Sequence, residues 1–343
     1  MSVGLREQTG RFIEDELRVS RVAVLIPCFN EAVTIEKVVK DFRRVLPQAA
    51  VYVYDNNSTD GTADIAYAAG AIVRSEPRQG KGNVVRSMFN EIDADAYVIV
   101  DGDDTYPAES APEMISKVLS GYDMVIGDRL SSTYFQENKR ALHGFGNRIV
   151  RASINTMFGA HIQDIMTGYR AFSYQFVKTY PCVSEGFEIE TEMTIHSLDK
   201  HVRIFEMPVQ YRDRPEGSES KLNTIGDGIR VLSTIFRMIR EYKPMPFFGG
   251  IGLVVTVVGG GFIFSVLWDF WRSGVVMRFP TLVGAVLLIL AGMMLIVTGI
   301  VLDVLAKQDR KRFLADANIM VSSRRLRQSF DQWVAYPTPL NKG

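Results

Sequence analysis

Cysteine is nearly missing. Cys28 and Cys182 are the only two in 343 residues, too few for a disulfide framework or a thiolate metal site. The scarcity suits a reducing compartment. Histidine is sparse too, and His143, His161, His196 and His201 show no His-x-x-x-His spacing, which argues against a zinc enzyme. Net charge is absent: 39 basic side chains balance 39 acidic ones, so bulk charge offers nucleic acid no attraction and none is expected as a partner. The start lacks a secretory signal, because Leu5 to Val19 is polar and charged with no apolar centre. The large domain is therefore expected not to be exported by such a signal. Internal repeats and low-complexity tracts are also missing.

What is present is unevenly spread. Phe247 to Trp268 runs 22 residues without a charge, and Phe279 to Leu302 runs 24. As helices they measure about 33–36 Å, enough to cross the hydrocarbon core of a bilayer. Buried core helices are the plain alternative, but those are usually shorter and amphipathic. Gly259-Gly260-Gly261, Gly284 and Gly292 suit close helix approach in lipid. Arg237, Arg240 and Lys243 precede the first run, and Lys307, Arg310, Lys311 and Arg312 follow the second. The connecting loop holds only Arg272, Arg278 and Asp269. The charge bias predicts a two-span hairpin with both ends cytoplasmic.

From Arg21 onward, short apolar runs alternate with helical patterns. Val22–Pro27, Val51–Asp55, Ala71–Arg74, Tyr97–Asp101 and Met124–Gly127 read as strands. Ala32–Leu46, Thr62–Ala69, Gly82–Ile92 and Glu109–Leu119 read as helices between them. The alternation predicts an α/β fold with a mainly parallel sheet covered on both faces. Farther on, Phe145–Phe158 and Ile189–Leu198 look helical and Arg203–Tyr211 looks like a strand. Ile225, Ile229, Leu232, Phe236 and Ile239 recur at helical spacing among arginines, predicting an amphipathic helix at the membrane interface or against the soluble domain. The expected domains are a polar extension (1–20), a catalytic domain (21–224), this interfacial helix (225–245), two membrane helices (246–303) and a basic tail (304–343).

Ligands of such sheets bind beyond the carboxyl ends of the strands, and polar clusters fall there. Val98-Ile99-Val100-Asp101-Gly102-Asp103-Asp104 puts carboxylates one residue apart at a strand end. Asp101 and Asp103 can converge on a hard cation, Mg2+ or Mn2+, that also takes phosphate oxygens. Such a cation would neutralise charge on a departing nucleoside diphosphate. An ordinary Asp/Gly turn is the alternative. Val24-Leu25-Ile26-Pro27-Cys28-Phe29-Asn30-Glu31 closes the first strand, and Val53-Tyr54-Asp55-Asn56-Asn57-Ser58-Thr59-Asp60-Gly61-Thr62 closes the second. The Asp55 carboxylate can accept a ring N–H of uracil or guanine.

These three strand ends, in order and spacing, resemble the nucleotide-sugar site of family 2 glycosyltransferases with the GT-A fold. Gln163-Asp164-Ile165-Met166-Thr167-Gly168-Tyr169-Arg170 and Arg214-Pro215-Glu216-Gly217-Ser218-Glu219-Ser220-Lys221-Leu222 narrow the likeness. They are similar to the polyprenyl-phosphate transferases, which include dolichyl-phosphate mannose synthases and bacterial undecaprenyl-phosphate glucosyltransferases. The resemblance implies that Pro27, Phe29, Glu31 and Asp55 border the nucleoside, and that Asp101 and Gly102 touch ribose and diphosphate. It makes Asp103 the principal metal ligand, with Asp101 and Thr105 beside it, although Thr105 stands where relatives often have Gln. It aims Arg129 at the acceptor phosphate and gives Arg214 and Lys221 phosphate contacts on a loop able to close. Asn56-Asn57 replaces the Asp-Gly of many relatives.

Asp164 is open to several roles: general base, sugar-hydroxyl ligand, a partner orienting Arg129 or Arg170, or an ordinary buried ion pair. Lys81, between glycines at a helix start, can meet a nucleotide phosphate or belong to a plain turn. Glu188 and Glu190 are candidates for the sugar pocket. The whole reads as an enzyme, a membrane-anchored inverting transferase with Asp164 and Asp103 at its catalytic centre. It would move a sugar from a nucleotide, UDP by preference, to a polyprenyl phosphate on the cytoplasmic face of a bacterial or archaeal membrane; a homo-oligomer is compatible with this. A processive polysaccharide synthase is a rival, but Trp268, Trp271 and Trp333 show no Gln-x-x-Arg-Trp motif. A non-catalytic scaffold of this fold is a second rival.

Overall fold

The computed structural model describes residues 21–131, 141–215 and 239–335, together with 233, 236 and 237. Lys221 and residues 225–232 of the expected interfacial helix lie outside them. Two compact units result, one within Met1–Val231 joined by residues from Ala315 onward, the other within Leu232–Leu314.

The first unit is built on seven strands: β1 (Val22–Cys28), β2 (Ala50–Asp55), β3 (Ile72–Ser75), β4 (Ala96–Ile99), β5 (Met124–Asp128), β6 (Arg170–Ser173) and β7 (Ile204–Pro208). Their order is β3-β2-β1-β4-β6-β5-β7. Helices α1 (Ile35–Val45), α2 (Thr62–Ala68), α3 (Lys81–Glu91), α4 (Ala111–Leu119), α5 (Ala141–Phe158), α6 (Tyr174–Thr179) and α7 (Ile189–Asp199) occur between and after them. Val24, Leu25 and Ile26 are all fully buried, as a strand covered on both faces requires. Val38, Val39 and Phe42 of α1 and Met114 and Ile115 of α4 join the core, each contributing about 1.5–3 kcal/mol of transfer free energy.

Strand direction decides where the chemistry lies. β1 pairs in parallel with β2 on one side and β4 on the other, so the strand order reverses direction beside β1, the place where open α/β sheets hold ligands. Cys28 is level with Asp55, and Leu25 is level with Ile99, so Asp101 emerges at the same edge. β6 was not foreseen. It runs antiparallel to β4, with Arg170 opposite Ile99, and therefore brings its amino end to the edge where the parallel strands end. β5 is antiparallel to β6 and parallel to β7, so Asp128 and Pro208 finish there as well. Six separate chain segments thus meet at one rim.

The second unit contains α8 (Gly250–Ser273), preceded by a π-helical turn over Met245–Gly249, and the apolar part of α9 (Phe279–Ala335). Both helices are long and apolar enough to cross a membrane, and only 17% of each apolar window is buried, which sets them apart from soluble core helices. They meet through glycine: a Cβ on Gly252 would lie 2.6 Å from the Gly292 carbonyl oxygen, and one on Gly259 only 2.8 Å from Ile289. Gly260, Gly261 and Gly284 face open space. Helix α9 continues well past the expected end of the span at Leu302, because residues 303–335 include no Gly or Pro to stop it.

Candidate active site

The β1 and β2 ends are sewn together before any ligand is considered. Asn30, in the left-handed region at φ 53°, accepts the Thr59 amide at 2.8 Å and donates its own N–H to Ser58 Oγ at 2.9 Å. The Glu31 amide donates to Thr62 Oγ1 at 2.8 Å, while Asp60 accepts the Ala32 amide at 3.0 Å. These bonds hold Pro27, Phe29 and Glu31, all half-buried, along one wall. Asp55 Oδ2 accepts the Ser58 amide at 3.2 Å, whereas its Oδ1 is buried with no hydrogen-bond partner. An orphaned buried acceptor is costly unless a ligand donates to it, and a nucleobase ring N–H has the required chemistry. Asn56 and Asn57 do other work. Asn56 Nδ2 donates to the Glu76 and Arg78 carbonyls at 2.7 and 2.9 Å, its Oδ1 accepts the Gly80 amide at 2.7 Å, and Asn57 donates to the Pro77 carbonyl at 3.0 Å.

The acidic strand end sits at the centre. Gly102 packs under it, since a Cβ there would fall 2.8 Å from Cys28 Sγ, and its carbonyl accepts the Thr34 hydroxyl at 2.6 Å. Asp103 is almost fully buried. Its Oδ1 accepts the Thr105 hydroxyl at 2.6 Å, and Arg214 Nη2 lies 2.5 Å from its Oδ2. Burial and then the nearby Asp101 charge push the Asp103 carboxyl above its ordinary range, with Arg214 opposing. Thr105 therefore acts on the Asp103 carboxylate. Lys81 is likewise committed: its ammonium lies 2.5 Å from Asp101 Oδ1 and 2.7 Å from Glu190 Oε1. Burial alone would lower its pKa, but the two carboxylates hold it above the ordinary lysine value. Its flanking glycines serve packing, with the Gly82 amide donating to the Glu185 carbonyl at 2.9 Å. Glu190, mostly buried and raised by that desolvation, thus joins the site from the first turn of α7. Glu188 turns aside and accepts the Gly186 amide at 3.2 Å.

The third part follows β5 and precedes β6. Asp164 is fully buried; its Oδ2 accepts Arg129 Nε at 2.9 Å and its Oδ1 accepts the Met166 amide at 3.3 Å. Burial pushes its carboxyl up, while Arg129 pulls it down. Arg129 also donates to the Met166 carbonyl at 2.9 Å and to Tyr106 Oη at 3.4 Å. Tyr106 is shared, for it also accepts from Thr167 Oγ1 at 3.3 Å and from the Gly168 amide at 3.4 Å. Gly168 in turn lies against the Asp101 carboxylate. The acids and the Arg129–Asp164 pair are therefore one connected site.

Two residues here, Tyr106 and Glu206, escaped the sequence reading, and Arg170, weighed there as a partner of Asp164, bonds to backbone carbonyls. Tyr106 links the parts; Arg170, entirely buried, donates to the Ile165 and Thr167 carbonyls at 2.6 and 3.1 Å; Glu206 accepts the Gln163 and Asp164 amides at 2.8 and 3.3 Å. Arg170 and Glu206 shape the 163–168 loop from β6 and β7.

The described residues include no cluster of three or more His, Cys, Asp or Glu side chains able to hold a metal ion. Asp101 and Asp103 can provide two oxygens of a hard cation's shell, with a diphosphate completing it. Burial and then the Asp101 charge raise Asp103, and a bound cation would oppose both.

Comparison with known proteins fits this geometry. Residues 23–180 match the family model described as glycosyl transferase family 2. The chain is 34% identical over 292 residues to Glycosyltransferase AglJ of Haloferax volcanii, covering 85% of this chain and 95% of that one. It is 30% identical over 222 residues to the Dolichyl-phosphate hexose transferase of the same organism, covering 65% and 95%. Among solved structures, glucosyl-3-phosphoglycerate synthase of Mycobacterium tuberculosis with Mn2+, UDP and phosphoglyceric acid superposes with a TM-score of 0.54 at 21% identity, over 66% of this chain and 81% of that one, a likeness of fold. With that fold, this site and these relatives, the chain belongs to glycosyl transferase family 2 and is a glycosyltransferase.

Proposed function

We propose that this protein transfers a sugar from a UDP-sugar to a polyprenyl phosphate at the cytoplasmic face of a membrane, with inversion at the anomeric carbon. The observation that carries the reading is the convergence of the unpartnered Asp55 oxygen, the Asp101–Asp103 pair and the Arg129–Asp164 pair on one rim of the sheet. Asp55 reads the base. Pro27, Phe29 and Glu31 border the nucleoside, and Gly102 lets the backbone approach ribose and diphosphate. Asp103 and Asp101 would hold Mg2+ or Mn2+, which neutralises charge on the leaving diphosphate when bound. Lys81 and Glu190 keep Asp101 in place.

Arg129 and Arg214 are the cations for the acceptor phosphate, with Lys221 as a third. A phosphate oxygen attacks the anomeric carbon from the side opposite the diphosphate; the sugar–diphosphate bond breaks and the nucleotide leaves with its electron pair. The attacking oxygen is already anionic near neutral pH, so no base is needed. Asp164, with both oxygens engaged, aims Arg129. The named lipid of the Haloferax relative and the two apolar helices support a lipid acceptor, because a polyprenyl tail resists leaving the bilayer by about 0.8 kcal/mol per CH₂. The charge bias around the helices supports a cytoplasmic site.

The test is UDP release by purified protein in detergent, with UDP- and GDP-sugars offered in turn. Release should require both a divalent cation and undecaprenyl phosphate, and should fall sharply in Asp55→Ala. Equal release without the lipid would sink the acceptor assignment.

A further inference from the structure

Asp103 Oδ2 receives Arg214 Nη2 at 2.5 Å, while Oδ1 is committed to Thr105 at 2.6 Å. The carboxylate is almost fully buried, whereas the arginine is about a third exposed at 30%. Its segment is pinned just upstream. The Arg212 amide donates to the Thr105 carbonyl at 2.9 Å, and the Tyr211 ring packs edge-on against Tyr106 at 5.5 Å. The Arg129 guanidinium lies over that same Tyr211 ring at 5.8 Å. Arg214 is thus placed on the acid pair by a segment whose Tyr211 ring also carries the acceptor-phosphate cation.

A divalent cation on Asp103 needs the oxygen that Arg214 holds. Two cations of that charge density do not share one carboxylate oxygen inside a buried site without strong repulsion. We propose that Arg214 is an exchangeable counter-ion: it holds Asp103 until the metal takes its place, and the released guanidinium then serves the acceptor phosphate. This rests on the metal-assisted reading above and adds a coupling to it. By thermodynamic reciprocity, whatever draws Arg214 to a phosphate strengthens metal binding at Asp103, and metal at Asp103 readies Arg214 for the phosphate. An arginine used only as a fixed phosphate ligand would have no such effect on the metal.

The experiment titrates full-length protein in detergent with Mn2+, reading free Mn2+ by electron paramagnetic resonance, with and without UDP. Without nucleotide, Arg214→Ala should bind Mn2+ about tenfold more tightly than wild type, the scale of one lost charge-assisted hydrogen bond. The gain should vanish in the Asp103→Asn background. Arg212→Ala removes a cation of the same segment that faces Glu109 and should match wild type. The exchange is overturned if Arg214→Ala binds Mn2+ no better than wild type, if its gain survives Asp103→Asn, or if Arg212→Ala reproduces it. Absence of Mn2+ binding to wild type even with UDP would overturn the metal reading and the exchange together; UDP-dependent binding unaffected by Arg214→Ala would overturn the exchange alone.

Discussion

Asp164 and Arg129 show how much a single buried pair governs. The carboxylate has no exposure to water, and Arg129 reaches it through Nε while its other nitrogens hold Met166 and Tyr106. Removing the charge from one partner of a buried, hydrogen-bonded pair leaves the other unbalanced and free to reorient. Asp164→Asn is therefore expected to lower kcat/KM for the lipid phosphate roughly 100-fold, mainly through KM, with the KM for the nucleotide-sugar little changed. Steady-state kinetics with each substrate varied in turn checks this. A loss confined to kcat that recovers at high pH would instead make Asp164 a base. The acidic and basic residues of the site were legible because strand-end carboxylates and arginines stand out between apolar runs. Tyr106 and Glu206 were not, since nothing local to a tyrosine or an edge-strand glutamate says that residues distant in sequence hydrogen-bond to it.

Among the elements, the parallel half of the sheet was readable from alternation alone. Strands β1 and β4 are apolar throughout and β2 is apolar up to its terminal Asp55, bounded by helices with clear three- and four-residue spacing. β6 was hidden for a physical reason: it is four residues long, begins with a buried arginine and takes its place through pairing with β4 and β5, distant in sequence. The glycines of the apolar helices divide likewise. Composition marked a glycine-rich helix, but only three-dimensional packing separates Gly252 and Gly259, pressed against the second helix, from Gly260, which meets nothing. Gly252→Leu should lower the melting temperature of the detergent-solubilised protein by several degrees, whereas Gly260→Leu should stay within about 0.5 kcal/mol of wild type. Differential scanning fluorimetry distinguishes them, and equal effects would mean that the close approach at Gly252 contributes nothing.

At the scale of the molecule, the catalytic unit includes more than its own continuous segment. Arg324, late in α9, pairs with Asp95 and stacks over the Tyr174 ring at 3.8 Å, while Asp95 also accepts the Arg21 amide at 2.7 Å. The contact is made beside the starts of β1 and β4, at the end of the sheet opposite the acids. Reading residues 304–343 as a basic tail captured its charge but not this seat, because a helix face gives no hint of which domain it touches. The larger division into an α/β catalytic unit and an apolar helical unit was legible, since length and hydropathy alone separate them.

The central claim is that one rim of the sheet passes a sugar from a nucleotide to a lipid phosphate. Mass spectrometry of the lipid fraction, after incubating purified protein with UDP-hexose, Mn2+ and undecaprenyl phosphate, tests it most directly. The account predicts a new lipid heavier than undecaprenyl phosphate by one anhydrohexose, formed in step with UDP and lost in Asp103→Asn. UDP appearing with free hexose and an unchanged lipid would contradict it.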